Sequence, residues 1–229
     1  MTALVRMRLA GFVQTGRAAA PLLAALVVLS ILYGGGQSQA GEAYGVSAAV
    51  LFGVLAWQTK LLLDVEPDVQ RRIGRVALGA GRETAAGVAA ALVAALPVIL
   101  VAMILPWLVG GVTGPQKAGD PPLGEGIALG LWAHLLLLLP AVGLGALASR
   151  AVSGQAARGL AILVGGVVMA VVLGLKSSPA PWLAPPLMTT ARDTVGGADL
   201  TAVAVTTGWG VVWAALAVAA YAHLRRTRP

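Results

Sequence analysis

Thr84-Ala-Ala-Gly-Val-Ala-Ala-Ala-Leu-Val-Ala-Ala-Leu-Pro-Val-Ile-Leu-Val-Ala-Met-Ile-Leu-Pro-Trp-Leu-Val-Gly110 runs from end to end without a charged side chain. As an α-helix it would be about 40 Å long, more than the ~30 Å of hydrocarbon in a bilayer. Five further stretches read the same way: Ala18–Tyr33, short at its outer end, Tyr44–Leu63, Gly126–Ala148, Gly159–Leu175 and Leu200–Ala222. The pattern predicts an all-α integral membrane protein with six transmembrane helices in one domain, residues 1–229. Pro97, Pro106 and Pro140 fall inside these segments, where proline usually bends a spanning helix.

Composition agrees. Hydrophobic residues make up 58% of the chain and charged ones 11%, and the mean hydropathy is +0.86. Ordinary soluble domains are roughly 25% charged, so this chain lacks the polar residues to cover a water-facing surface. Cysteine is absent, which excludes thiolate catalysis, cysteine-bound metals and disulfides. The net charge of +7 reads as topological rather than as a nucleic-acid footprint, because the basic residues sit at helix ends. Arg6, Arg8 and Arg17 ahead of Ala18–Tyr33 superficially resemble a signal peptide, but the five later segments make the first run a spanning helix.

The positive-inside rule orients the chain. Arg6, Arg8, Arg17, Lys60, Arg71, Arg72, Arg75, Arg82, Arg150, Arg158, Arg225, Arg226 and Arg228 fall on one side; Lys117, Lys176 and Arg192 fall on the other. The first side is expected to be cytoplasmic, with both termini there. Tyr33, Tyr44, Trp107 and Trp182 are expected at the outer interface, and Trp57 and Tyr221 at the inner one. Near Trp57, Lys60 is placed to snorkel.

The loop Asp64-Val-Glu-Pro-Asp-Val-Gln-Arg-Arg-Ile-Gly-Arg75 carries helix signals. Glu66 is a candidate cap and Pro67 suits a first helical position. Asp68 favours the positive end of the helix dipole and Arg71, Arg72 and Arg75 the negative end. Val69, Ile73 and Val76 fall on one face. A short amphipathic helix that docks a partner explains all of this; a solvated loop whose arginines only set topology explains the charge alone. The basic lead-in, residues 1–17, mixes Leu4, Val5, Leu9 and Phe12 with its arginines, and Arg8 falls among the apolar positions. It reads equally as an interfacial helix or as a basic flank.

On the outer side, Ser177–Met188 holds Pro179, Pro181, Pro185 and Pro186 around Trp182 and is apolar for a loop. It reads as a short re-entrant element or a Trp-anchored surface loop, and Pro181, Trp182, Pro185 and Pro186 are candidates for an outer gate. His134 is the ionisable residue deepest in a span; with no acidic residue at its depth, packing or a helix–helix hydrogen bond is the expected role. No hydrolase elbow, zinc helix or phosphate-binding Walker loop occurs, so no catalytic, cofactor or metal residues are assigned.

Six spans, cytoplasmic ends, a basic lead-in and a long second cytoplasmic connection resemble the ABC-2-type transporter permeases. Trp57-Gln-Thr-Lys-Leu-Leu-Leu-Asp-Val-Glu-Pro-Asp-Val-Gln-Arg-Arg72 is similar to the junction of second span and coupling helix in actinobacterial members, and Pro181-Trp-Leu-Ala-Pro-Pro186 to their last outer loop. The resemblance implies a transport subunit of the bacterial plasma membrane, itself no enzyme. It implies export, and the apolar, uncharged spans suit a hydrophobic or amphipathic cargo such as a lipid, drug or peptide natural product. It also implies a second permease, identical or homologous, and two ABC ATPase subunits that carry the ATP and Mg. The ATPase-coupling helix would then include Glu66, Asp68, Val69, Arg71, Arg72, Ile73, Arg75 and Val76. Two rival classes stand beside it: a six-helix substrate-binding module of an importer, which needs a polar outward pocket, and an intramembrane enzyme, which needs a catalytic partner for His134.

Overall fold

The computed structural model describes residues 1–227; Arg228, counted above among the basic residues, lies outside them. Among the described residues the regular structure is helical apart from a clasp of two two-residue strands. In order come α1 (Thr2–Gln14), α2 (Ala19–Tyr33), β1 (Ser38–Gln39), α3 (Ala40–Leu63), α4 (Asp68–Leu78), α5 (Ala80–Leu108), β2 (Val112–Thr113), α6 (Leu123–Leu147), α7 (Arg150–Ser153), α8 (Ala156–Leu173), a 3-10 turn at Pro181–Leu183, α9 (Leu187–Gly196) and α10 (Leu200–Thr227). Without water to satisfy backbone groups, an apolar segment in lipid closes its own hydrogen bonds as a helix.

Five helices, α3, α5, α6, α8 and α10, are long and apolar enough to cross a membrane, and α1 with α2 makes a sixth if that bent pair is one span. These helices make the chain a multi-pass membrane protein. Helix α2 alone has 15 residues, about 22 Å, short of a full crossing. It meets α1 at 69°. Gly16, at φ 72°, sits at the bend, a backbone conformation that costs glycine little. Both α5, through Pro97 and Pro106, and α6, through Pro140, run on as unbroken helices.

Helices α3 and α6 form the enclosed centre, with α10 against α6 and α9 against α3. Close approach depends on glycine. A Cβ on Gly145 would come within 2.6 Å of Thr59 Cβ, and one on Gly130 would overlap the Tyr44 ring. Small residues at such contacts drive helix association in lipid, where apolar burial contributes little. Outside the centre, Leu23, Val27 and Ile31 of α2 and Leu160, Val164 and Val168 of α8 are exposed, as suits lipid-facing surfaces.

At the end remote from α4, Ser38 pairs with Val112 and Gln39 with Thr113 in parallel register. The Gln39 side chain accepts a 2.7 Å bond from the Gly41 N–H and so caps α3. After α8 the chain turns back along α10. Trp213 Nε1 donates to the Leu183 carbonyl at 3.0 Å, and Pro186 lies beside Gly210. Gly210 is about 15 Å along α10 from its first residue, so this connection reaches about a third of the way along that helix before α9 climbs out.

Several aromatic placements differ from the sequence reading. Tyr33, Tyr44 and Tyr221 are buried inside the protein rather than turned outward as interfacial anchors. Tyr33 donates to the Ala43 carbonyl at 3.2 Å and Tyr44 to that of Met103 at 2.9 Å. An aromatic ring near a helix end has two good environments, lipid interface and protein core, and composition does not separate them. Trp107 and Trp182 are exposed.

Candidate functional site

The basic end of the bundle carries α4 and the groups that hold it. The turn Asp64–Pro67 leads into α4 with Pro67 as the residue before the first helical one. Glu66 does not cap the helix, as the sequence reading has it. Its side chain turns inward and meets Arg8, whose Nε and Nη2 donate to Glu66 Oε2 at 2.9 and 2.6 Å. The cause is competition: a capping bond on the surface is worth about 1 kcal/mol, whereas a buried guanidinium without a carboxylate is far more costly.

Arg8 also bonds Glu83, through the Glu83 carbonyl at 3.0 Å and through the carboxylate. Glu83 in turn pairs with Arg225 at 2.8 Å. Arg225 donates to the Tyr221 hydroxyl at 3.0 Å, with its guanidinium 5.1 Å from that ring's centre. Arg8, Glu66, Glu83 and Arg225 are all buried. Two positive and two negative charges thus join α1, the turn before α4, the first turn of α5 and the last turn of α10. Gly87 makes room: a Cβ there would lie 2.8 Å from Arg8 Nη1.

Sequence reasoning missed this cluster, although one signal was present. Leu4, Arg8 and Phe12 are the buried residues of α1, spaced four apart on one face. The arginine that spoils the apolar stripe is the one that points inward, where Glu66 and Glu83 wait.

Asp64 forms a second hub. Lys60 Nζ lies 2.7 Å from Asp64 Oδ2, so Lys60 is paired rather than snorkelling, and the Arg150 N–H donates to Oδ1 at 2.7 Å. The Asp64 carbonyl accepts from Arg17 and Arg150, each at 3.0 Å. The second cluster ties the end of α3 to the starts of α2 and α7.

Held at its base, α4 presents two faces. Val69, Ile73 and Val76 point away from the bundle and are 68%, 62% and 89% exposed. Gly74 faces inward, 3.6 Å from Glu83 Cγ by the position of its missing Cβ. Arg71 is turned inward beside Asp68, Arg75 donates to the Arg225 carbonyl at 3.0 Å, and Arg72 is exposed. Burial, then the positive charge of Arg225, holds the Arg71 guanidinium below its ordinary pKa.

No family model, curated protein or solved structure matches this chain. Its own geometry is what speaks to function.

The candidate outer-gate residues divide. Pro181 and Trp182 are exposed on the 3-10 turn, while Pro185 and Pro186 are buried against the spans. Far from them in character, His134 is sealed at 1% exposure. Its Nδ1 lies 2.8 Å from the Gly130 carbonyl, an acceptor, and so carries the proton; Nε2 lies 3.2 Å from Ser47 Oγ. Ser47 is itself fully buried. The pair links α3 to α6 and is closed to substrate. Among the described residues no cluster of three or more His, Cys, Asp or Glu could hold a metal.

Proposed function

We propose that this chain is the membrane-spanning permease subunit of an ATP-driven exporter, of the ABC-2 type that its sequence resembles. The observation that carries the reading is α4. Three apolar side chains stand out from its far face while buried ion pairs fix its near end to α1, α5 and α10. Covering Val69, Ile73 and Val76 with a partner would stabilise an assembly by roughly 4 kcal/mol. A loop that served only to set topology would have no use for that face.

In this reading both termini and α4 lie on the cytoplasmic side of a bacterial plasma membrane, with six crossings in all, the bent pair of α1 and α2 counting as the first. Two ABC ATPase subunits, which hold ATP and Mg, dock on α4 of this chain and on that of a second permease. Closure of the ATPases pushes α4, and the Arg8–Glu66–Glu83–Arg225 cluster passes the push to α1, α5 and α10. The segment through Pro181, Trp182, Pro185 and Pro186 is a re-entrant element, placed to act as an outer gate. The spans suit hydrophobic or amphipathic cargo. The enzyme alternative requires a reachable His134, and the burial of His134 and Ser47 speaks against it.

The test is to co-express the chain with an ABC ATPase encoded beside its gene, purify the pair in lipid nanodiscs and measure ATP hydrolysis. A stable complex that hydrolyses ATP faster than the ATPase alone is expected. Failure of any neighbouring ATPase to bind would move the assignment to the binding-module class.

A further inference from the structure

Behind the apolar face of α4 lies a cavity of about 320 Å³ lined by Arg71, Arg72, Arg75, Arg150 and Arg225, with Asp68 as the lining carboxylate. The five arginines come from α4, α7 and α10. Asp68 pairs with Arg71, and Arg225 pairs with Glu83 behind the wall. Among the described residues the guanidinium groups of Arg72, Arg75 and Arg150 form no ion pair with a carboxylate; Arg75 and Arg150 donate only to the Arg225 and Asp64 backbone carbonyls. Arg71 Nη1 and Arg225 Nε are buried without a hydrogen-bond partner among the described residues, and Arg225 is 2% exposed. Buried donors of this kind are costly unless something accepts from them.

The missing acceptor is an anion, and the number of forks indicates which. A carboxylate offers two oxygens and one charge. A phosphate group offers more acceptor oxygens in a compact shape that guanidinium forks match well. The position is equally informative. Arg150 comes three residues after α6 ends at Leu147, Arg225 lies in the last turn of α10, and α4 follows the end of α3. Ends of spanning helices mark the level where lipid phosphates lie, and basic pockets between helices at that level take anionic headgroups.

We propose that this cavity binds the phosphate group of an anionic membrane lipid, joining α4 to α7 and α10 on the side opposite its docking face. The site needs the membrane placement of the chain but not its role in transport, so it stands or falls separately from the permease assignment. A bound lipid would supply the charge that the protein lacks there and hold α4 against the bundle.

The experiment uses the full chain in mild detergent. It is titrated with phosphatidylglycerol, phosphatidylcholine and inorganic phosphate, and bound lipid is counted by native mass spectrometry. Three proteins are compared: the unaltered chain, Arg72→Gln/Arg150→Gln in the cavity, and Arg158→Gln/Arg226→Gln, which removes the same charge from exposed positions outside it. The unaltered chain and the outside pair should retain phosphatidylglycerol about tenfold more tightly than phosphatidylcholine, and the cavity pair should lose that preference. Should the cavity pair fail to fold, Arg72→Lys/Arg150→Lys decides, since it keeps charge but loses the forks and should weaken the preference several-fold. Equal retention of the two lipids, or a preference untouched by the cavity substitutions, overturns the proposal. Inorganic phosphate bound without any lipid preference also overturns it and makes the cavity a site for a soluble anion.

Discussion

Arg8 and Glu66, 58 residues apart in the chain, are joined by two hydrogen bonds to a single carboxylate oxygen. The pair is buried at the foot of α4, so the orientation of that helix depends on a residue in α1. Removing one member of a buried ion pair leaves the other charge stranded, which costs about 3–5 kcal/mol. Arg8→Ala should therefore unfold at a markedly lower temperature in nanodiscs. Neutralising Glu66 as well should recover part of the loss, because Glu83 still has Arg225. A double variant no more stable than Arg8→Ala would show that Glu66 gains nothing from Arg8.

The Ser47–His134 contact calls for the opposite outcome. A single hydrogen bond between helices in lipid contributes about 1 kcal/mol, and the pair is sealed from substrate. His134→Gln should fold and lose little stability, and, on the permease proposal, keep most transport by a vesicle assay. Complete loss of activity in a well-folded His134→Gln protein would restore a chemical role for the histidine.

Gly130→Ala should do more damage than its size suggests. The new methyl group would overlap the Tyr44 ring at the centre of the bundle, and overpacking of that kind costs about 1–3 kcal/mol. Thermal unfolding of the purified variant checks this, with Gly165→Ala as the control, since a Cβ there meets nothing within 4 Å.

Orientation is open to direct labelling because the chain has no native cysteine. Gln70→Cys on α4 and Lys117→Cys on the opposite connection are both exposed. An impermeant maleimide added to intact cells should label position 117 and spare position 70. The reverse pattern would invert the topology.

The spans were legible because their signal is periodic and redundant: apolar runs predict where α3, α5, α6, α8 and α10 lie to within a few residues. So was α4, from Pro67, Asp68 and the Val69–Ile73–Val76 spacing. The ion cluster was not, since Arg8, Glu66, Glu83 and Arg225 come from four places in the chain, and of these only Arg8, out of place in an apolar stripe, hints at burial. The glycine contacts were hidden for the opposite reason. In a chain with 30 glycines, spacings such as Ala141 to Gly145 occur by chance, and Gly145 shows its role only when it meets Ala56 and Thr59.

The central claim is that α4 transmits force from a partner ATPase, and Ile73→Asp tests it most directly. Ile73 is 62% exposed on the apolar face, clear of the ion cluster, so a carboxylate there leaves the fold intact and spoils only the docking surface. The pair is purified in nanodiscs, and assembly and ATP hydrolysis are compared with the unaltered complex. The account predicts normal expression and insertion of Ile73→Asp, with assembly weakened and stimulation of the ATPase abolished. Normal assembly with unchanged stimulation would contradict it.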